Sequence, residues 1–279
     1  MFAVLIVAAL AADVPDVPYV HVDELFAVTL FPNGLLSETY AEARTPLHRS
    51  ASIVFQNTYA GAGALVQLSP AFVGVGPQIS LAPIDVFDVA FSAQRFAYFD
   101  DGLGLLPYDG TSGKLGTTRD ARAAEGFGAG AWVVSAKPTL KLKVGPIIVA
   151  DAWVIDAIRV DAVPGEAAPY VYEPLRDAVI AYEDVAMDQQ AVLLYDALPE
   201  GGPTLRIGLT IKDRFTLVSK DRATKAGLLV TLQPGTKALV PTIIGMALFP
   251  LHDTDREVGS APNVVLAAKW EVDRPFAGR

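Results

Sequence analysis

Residues 204–215, TLRIGLTIKDRF, alternate between apolar and polar side chains along nearly their whole length. Successive side chains of a β-strand point to opposite faces, so this alternation predicts a strand with one apolar and one polar face. The apolar face carries Leu205, Ile207, Leu209 and Ile211, and the polar face carries Thr204, Arg206, Thr210, Lys212 and Arg214. The segment therefore argues against a helix at this place in the chain.

The same period of two recurs in residues 132–144 and 264–273. Strand length together with β-branched or aromatic content marks further segments: Leu35–Arg44, Tyr59–Ser69, Val73–Pro83, Phe87–Phe99, Ile147–Val160, Ala191–Leu198, Ala223–Gln233 and Leu239–Pro250. Turn residues such as Gly145-Pro146 and Gln233-Pro234-Gly235 separate them. No segment keeps helical spacing for three turns. We therefore expect an all-β protein of roughly 10–14 strands, with twelve as the best count because bacterial barrels favour even numbers.

The composition is apolar, but it contains no membrane-spanning helix. Of the 279 residues, 52% are hydrophobic and 19% are charged. A spanning helix needs about 20 consecutive apolar residues, and four charged residues interrupt the richest candidate, Pro146–Val163. The chain is therefore either a protein with a large soluble core or a barrel with lipid outside.

The predicted connections alternate between short and long. The long ones are Asp100–Glu125, Asp161–Arg176 and His252–Pro262. Transmembrane barrels have this asymmetry, whereas β-sandwiches usually have shorter strands with more frequent turns. We expect residues 13–279 to form a single antiparallel transmembrane β-barrel in a bacterial outer membrane.

The first residues have features of a signal peptide. The apolar run Phe2–Ala12 has the length of its central region, and Ala9-Leu10-Ala11 has the spacing that a signal peptidase reads. No Lys or Arg precedes Arg44, so the usual positive segment is missing. We expect residues 1–12 to be a signal peptide; the alternative is a buried first strand.

The polar faces of the predicted strands supply the candidate functional residues. If the strands close into a barrel, these faces point into the lumen, where each charge must be paired or hydrated. In a sandwich the same faces would meet open water. With about twelve strands, the lumen can be either a narrow pore or an interior filled by salt-bridged side chains, and the strand number does not decide between them. The candidate lumen residues are Glu38, Glu42, Lys137, Lys141, Lys143, Arg206, Lys212, Arg214, Lys269 and Glu271.

The sequence gives little support for disulfides, metal sites, nucleic-acid binding or phosphate binding. The absence of cysteine excludes disulfides and thiolate sites, and the net charge of −9 argues against nucleic-acid binding. His21, His48 and His252 lack metal-site spacing, and the acidic loops lack the ordered oxygens of a calcium site. Gly61, Gly63, Gly74 and Gly76 are followed by no helix, which favours strand bending over phosphate binding. We expect no cofactor.

Three phrases carry a resemblance to a known group of proteins. They are FQNTYAGAGALVQLSPAFVGVGPQISLAPIDVFDVAFSAQRFAYF at Phe55–Phe99, AVLLYDAL at Ala191–Leu198 and NVVLAAKWEVDRPF at Asn263–Phe276. They resemble outer-membrane β-barrel proteins of Gram-negative bacteria that have no assigned activity. The resemblance implies location and architecture, not chemistry. Many such barrels end on an aromatic residue, whereas Phe276 is followed by Ala277-Gly278-Arg279.

These observations favour a porin-like barrel without enzymatic activity, acting as a passive narrow channel or as a structural membrane protein. Its expected partners are outer-membrane lipid and small solutes or ions. One alternative is an outer-membrane hydrolase or lipid-modifying enzyme, for which His48 and Ser50 would be the nearest Ser–His pair. Another is a soluble periplasmic all-β binding protein, which would have an apolar interior and a charged exterior.

Overall fold

The computed structural model describes residues 17–30, 34–48, 57–100, 104–108, 126–161, 169–198, 202–235, 240–253 and 262–276. The predicted signal peptide lies outside these residues. The strands in the described part of the chain are β1 Tyr19–Leu30, β2 Gly34–Pro46, β3 Tyr59–Ser69, β4 Phe72–Ile84, β5 Phe87–Tyr98, β6 Leu106–Tyr108, β7 Gly130–Val144, β8 Ile147–Val160, β9 Tyr170–Glu173, β10 Ala178–Ala181, β11 Glu183–Asp196, β12 Thr204–Thr216, β13 Arg222–Gln233, β14 Thr242–Asp253 and β15 Asn263–Pro275.

Twelve of these strands close into one antiparallel barrel. Their order around the wall is β1-β15-β14-β13-β12-β11-β8-β7-β5-β4-β3-β2, and β1 pairs with both β15 and β2. Each strand in the wall therefore pairs with a neighbour on both sides. The predicted twelve-strand barrel is therefore confirmed. Within the described residues, no helix has the length and hydrophobicity needed to cross a membrane.

Two barrel strands were not fully predicted from sequence. β1 was not identified, and Ala191–Leu198 covers only the second half of β11. In both regions polar side chains lie on both faces of the strand: Asp23 and Glu24 follow one another in β1, as do Gln189 and Gln190 in β11. This arrangement hides the period of two.

The outer face of the barrel is apolar. The predicted apolar face of β12 points outward, with Ile207 45% and Leu209 58% exposed. Large apolar side chains on the other barrel strands are exposed in the same way, among them Val75, Phe91, Val134, Leu142, Leu228 and Leu266. A soluble protein would bury such residues. This surface is the opposite of the charged exterior that the soluble-protein alternative requires.

A small second sheet lies inside one end of the barrel. We call the end where β1 begins and β15 ends the terminal end, and the opposite end the loop end. Strands β10, β9 and β6 pair in that order to form the second sheet, which we call the inserted sheet. Its strands come from the two long connections at the loop end, 99–129 and 161–182. Sequence analysis had assigned these segments only as connections.

The inserted sheet packs on the inner wall through an apolar cluster. The cluster joins the inserted segments, including Leu105, Val171, Leu175 and Ile180, to inward-facing wall residues. The wall residues include Phe72, Phe96, Tyr98, Val133, Ile158 and Val160. Burial of this apolar surface, at about 25 cal/mol per Å², contributes to the association of the sheet with the wall.

The rest of the interior is not purely polar. A second apolar cluster lies on the inner wall formed by β1, β8, β11 and β13–β15, and includes Leu25, Val192, Leu194, Leu229, Ile244 and Met246. The sequence predicted a lumen lined by charges. Apolar residues are accommodated here because their buried side chains pack against one another.

Candidate functional site

The structure places all ten candidate lumen residues on the inner face of the barrel wall. They belong to β2, β7, β12 and β15, and each is half-buried or buried. They do not form one site. They divide into ion pairs near the terminal end, polar contacts along the β2 wall and a network at the loop end.

Near the terminal end, two lysines of β7 meet acids on β5 and β11. Lys141 Nζ lies 3.0 Å from Asp88 Oδ2, and Lys143 Nζ lies 2.6 Å from Asp196 Oδ2. Arg206 donates from Nε to the same Asp196 at 2.9 Å. Lys137 lies on the same inner face, half-buried. Each positive charge in these pairs thus has a nearby negative one.

Opposite charges also meet across the seam between β1 and β15. Lys269 Nζ lies 2.9 Å from Asp23 Oδ2 and 2.8 Å from Glu271 Oε1. His21 Nδ1 lies 2.7 Å from Asp273 Oδ1 in the same region. The strands that close the barrel are therefore joined by the Lys269–Asp23 ion pair and the His21–Asp273 contact as well as by backbone hydrogen bonds.

Glu42 is among the most buried charged residues, with 2% of its surface exposed. Arg44 pairs with its carboxylate, and Ser80 donates from Oγ to it at 2.6 Å. A Cβ atom at Gly61 would clash with this carboxylate and with Ser80. Gly61 therefore makes room for a buried charge, in line with the close approach expected from the glycines of β3 and β4. Glu38, in the same strand, accepts a hydrogen bond from Gln67.

A buried arginine joins the inserted sheet to the wall. Arg176, 5% exposed, lies in the turn between β9 and β10. It donates from Nε to Asp156 Oδ2 on β8 at 2.8 Å and from Nη1 to Glu173 Oε2 at 3.2 Å. Burial opposes its charge, but Asp156 and Glu173 outweigh this and raise the pKa of the guanidinium. Glu173 also accepts from the Tyr98 hydroxyl at 2.7 Å.

A second set of contacts holds the other side of the same turn. Arg214 on β12 donates to the backbone oxygens of Arg176, at 3.2 Å, and of Asp177, and to Asp221 Oδ2 at 2.8 Å. Lys225 on β13 lies 3.1 Å from Asp177 Oδ2. The turn at Arg176 is therefore bound to β8, β12 and β13. This network surrounds a cavity of about 10 Å³, enough for about one water molecule.

Sequence analysis found only part of this network. Lys212 and Arg214 were recognised by alternation, and Lys212 pairs with Asp188 at 3.0 Å. Asp156, Glu173, Arg176, Asp177 and Asp221 were not identified as site residues. The available signal was a run of charges between two apolar segments, YVYEPLRDAVIAY at 170–182. That pattern does not reveal which wall residues it meets.

The outer surface carries charges mainly near the loop end. Arg95 and Asp161 pair there, and the arginine also lies 5.5 Å from the ring centroid of Trp132. The hydrogen bond from Arg95 lowers the pKa of Asp161, against a smaller opposing effect of burial. Trp132 is thus exposed on the outer face near the loop end of β7. Trp153 and Trp270 also face outward, but they lie in the middle of their strands.

The backbone of His48 makes two hydrogen bonds with the Thr58 hydroxyl. The backbone N–H of His48 donates to Thr58 Oγ1 at 3.0 Å, and its carbonyl accepts from that hydroxyl at 2.8 Å. These bonds fit a turn residue, and Ser50 lies outside the described residues. No group of three or more His, Cys, Asp or Glu in the described part of the chain is placed to hold a metal ion.

Comparison with known proteins agrees with this architecture. No protein-family model and no curated protein matches the chain. The β domain of the Bordetella autotransporter BrkA has a TM-score of 0.52 at 10% identity, covering 92% of this chain and 100% of that chain.

Two further solved structures are more distant. An outer-membrane channel from Pseudomonas putida F1 has a TM-score of 0.40 at 13% identity, covering 96% and 99% of the two chains. The translocator domain of NalP from Neisseria meningitidis has a TM-score of 0.38 at 11% identity, covering 94% and 89%. The closed twelve-strand wall and the similarity to the BrkA β domain show that this chain has the fold of bacterial outer-membrane β-barrels.

Proposed function

We propose that the protein is an outer-membrane barrel whose narrow channel is closed at the loop end by the inserted sheet. The observation that carries the proposal is the buried ion pair between Arg176 of the inserted turn and Asp156 on β8, which binds the turn to the wall; Glu173, within the inserted sheet, holds the same guanidinium. Displacement of this sheet would open a path for small ions or solutes.

The membrane location is supported by the outer surface. Every barrel strand carries at least one large apolar side chain exposed on its outer face, and this much apolar surface would be costly to expose to water. The loop-end connections that carry the inserted sheet are the longest ones, as expected for the extracellular side of such barrels. Both ends of the described chain lie at the opposite, terminal end, which we assign to the periplasm.

The chemistry of the contact suits a closure that can be reversed. A purely apolar contact would be stabilised by its area alone, whereas buried ion pairs depend on exact placement of both partners. Once displaced, Arg176, Asp156 and Glu173 would each become hydrated, which offsets part of the lost attraction.

The remaining inner charges suggest a weak preference among passing ions. Lys141, Lys143 and Arg206 near the terminal end are paired with acids, so charges of both signs line the path. Mixed lining charges set conductance without strong selectivity for one ion. The proposal requires neither a cofactor nor an enzymatic step.

Planar-bilayer recording of the purified protein tests the proposal. The wild type should remain mostly closed, and a variant with Tyr170–Ala181 replaced by a short Gly-Ser linker should conduct steadily. Heat-modifiable gel migration of both proteins serves as the control for a folded barrel. A wild type with a steadily open conductance would contradict the proposed closure.

A structural role without transport is the second candidate. It is favoured by the many buried inner side chains, among them Gln67, Gln78, Gln94, Gln190, Thr210 and Thr231. In that case the linker variant would migrate as a folded barrel and still not conduct. That result would replace the channel proposal with the structural one.

A further inference from the structure

Two polar clusters lie on the outer face of the barrel, where the proposed function places lipid. In the first, Gln189 donates from its amide nitrogen to both oxygens of Asp151, at 3.0 and 3.1 Å, and Trp153 donates to Asp151 Oδ2 at 3.2 Å. All three side chains are half-buried and face outward on β8 and β11. We call this set the Asp151 cluster.

The second set is centred on Glu24. Ser37 donates from Oγ to Glu24 Oε1 at 2.8 Å, and Thr39 donates to Glu24 Oε2. These residues face outward on β1 and β2, and Trp270 is the register partner of Glu24 on β15. We call this set the Glu24 cluster. In each case, therefore, a carboxylate lies beside a tryptophan within the wall of the barrel.

Neither cluster lies at the rim of the barrel. Glu24 is the sixth residue of β1 and Asp151 the fifth residue of β8, counted from the terminal end. Apolar outward residues flank Asp151 on both sides along its strand, Val149 toward the terminal end and Ile155 toward the loop end. Carboxylates at this depth would meet hydrocarbon if only lipid surrounded the barrel, which is unfavourable for a charged group.

The two clusters lie on opposite sides of the molecule. β8 is six strands from β1 in either direction around the twelve-strand wall. Two barrels standing side by side in one membrane can therefore bring the Asp151 cluster of one against the Glu24 cluster of the other. Each barrel would keep the other cluster available for a further neighbour.

Hydrogen-bonding capacity favours this pairing over contacts between like clusters. The Gln189 amide has a second N–H, whereas the donors of the Glu24 cluster are hydroxyls that already donate to Glu24. Two Glu24 clusters would have no amide donor to exchange. Contact between two Asp151 clusters would leave both Glu24 clusters in lipid, whereas mixed contacts repeated along a row of barrels remove both kinds from lipid.

We propose that these clusters join copies of this chain head to tail in the membrane, with Gln189 of one copy donating to Glu24 of the next. Because the two surfaces differ and lie on opposite sides, the contact does not close on itself and generates rows of barrels. The proposal rests on the membrane location proposed above.

Cysteine cross-linking tests the contact, because the chain has no native cysteine. Ala191→Cys lies beside Asp151 in the register, and Ala41→Cys lies on the outward face of β2. Single-cysteine proteins are reconstituted into liposomes, alone or mixed, and treated with a short bismaleimide. The mixture should give a dimer at least tenfold above either protein alone, and the double variant should give a ladder.

Ala93→Cys, outward in the middle of β5, serves as the matched control for random collision. Gln189→Leu should reduce the mixed cross-link about tenfold without changing heat-modifiable migration. A dimer of Ala191→Cys alone, or a mixed yield equal to that with Ala93→Cys, would overturn the proposal. If the protein shows no heat shift and leaves the membrane in carbonate, the membrane location itself fails, which is a distinguishable result.

Discussion

Replacing Arg176 by methionine should release the inserted sheet from the barrel wall. The substitution keeps most of the apolar stem and removes a guanidinium that contacts Asp156 at 2.7 and 2.8 Å and Glu173 at 3.2 Å. Both carboxylates remain buried, Asp156 at 5% and Glu173 at 0% exposure. Leaving buried charges without a partner costs about 3–5 kcal/mol.

The lower end of that range applies here because both acids keep other donors. Ser135 donates to Asp156, and Glu173 accepts from Tyr98 and from the backbone N–H groups of Leu175 and Arg176. A loss of about 3 kcal/mol corresponds to a rise of about 100-fold in the equilibrium constant for opening, since 1.4 kcal/mol is a factor of ten.

Bilayer recording measures this change as the ratio of open to closed time. Arg222→Met is the matched control, because Arg222 pairs with Asp213 on the outer face at 3.2 Å and is 55% exposed there. An exposed pair contributes about 0–1 kcal/mol, so the control should change little. The double variant Arg176→Met/Asp156→Asn should recover part of the loss. Equal open ratios for wild type and Arg176→Met, with both barrels folded, would refute the reasoning.

Three further changes have defined outcomes. Ile207→Arg, on the outer face, should destabilise the membrane-inserted barrel by up to about 2–4 kcal/mol in a urea titration of liposome-inserted protein, whereas Ile207→Leu should not. If Ile207→Arg assembled normally, the assignment of that face to lipid would be wrong. Gly61→Ala should destabilise the barrel by roughly 1–3 kcal/mol because its Cβ meets the Glu42 carboxylate, while Gly202→Ala, with open space around it, should be neutral in the same titration. Arg95 lowers the pKa of Asp161 in the folded protein. At pH values above the unfolded-state pKa of an aspartate, this pairing therefore stabilises the fold, and the contribution is lost as the pH falls through the lowered pKa. Asp161→Asn should therefore remove a small part of the acid sensitivity of unfolding, and an unchanged pH profile would contradict that role.

The alternation of apolar and polar residues identified a strand wherever one face of the strand was mainly apolar and the other mainly polar. β12 and β7 were recognised because one face is apolar and exposed and the other carries polar groups and meets the interior. The same alternation led to the inward placement of Lys212 and Arg214. Where the outer face carries polar groups, as at Glu24 and Gln189, the pattern was lost and the strand was missed or shortened.

The sequence by itself determined the all-β class and the face on which most charges lie, because side-chain direction in a strand depends only on neighbouring positions. Only the tertiary structure decided which charges meet. Arg176 and Asp156 are 20 positions apart, and Asp177 and Lys225 are 48 apart. Closure also decided that Glu24 and Asp151 lie on opposite sides, because that relation depends on the order of strands around the wall. Such pairings follow from how distant segments pack in three dimensions, and no local pattern in the sequence encodes them.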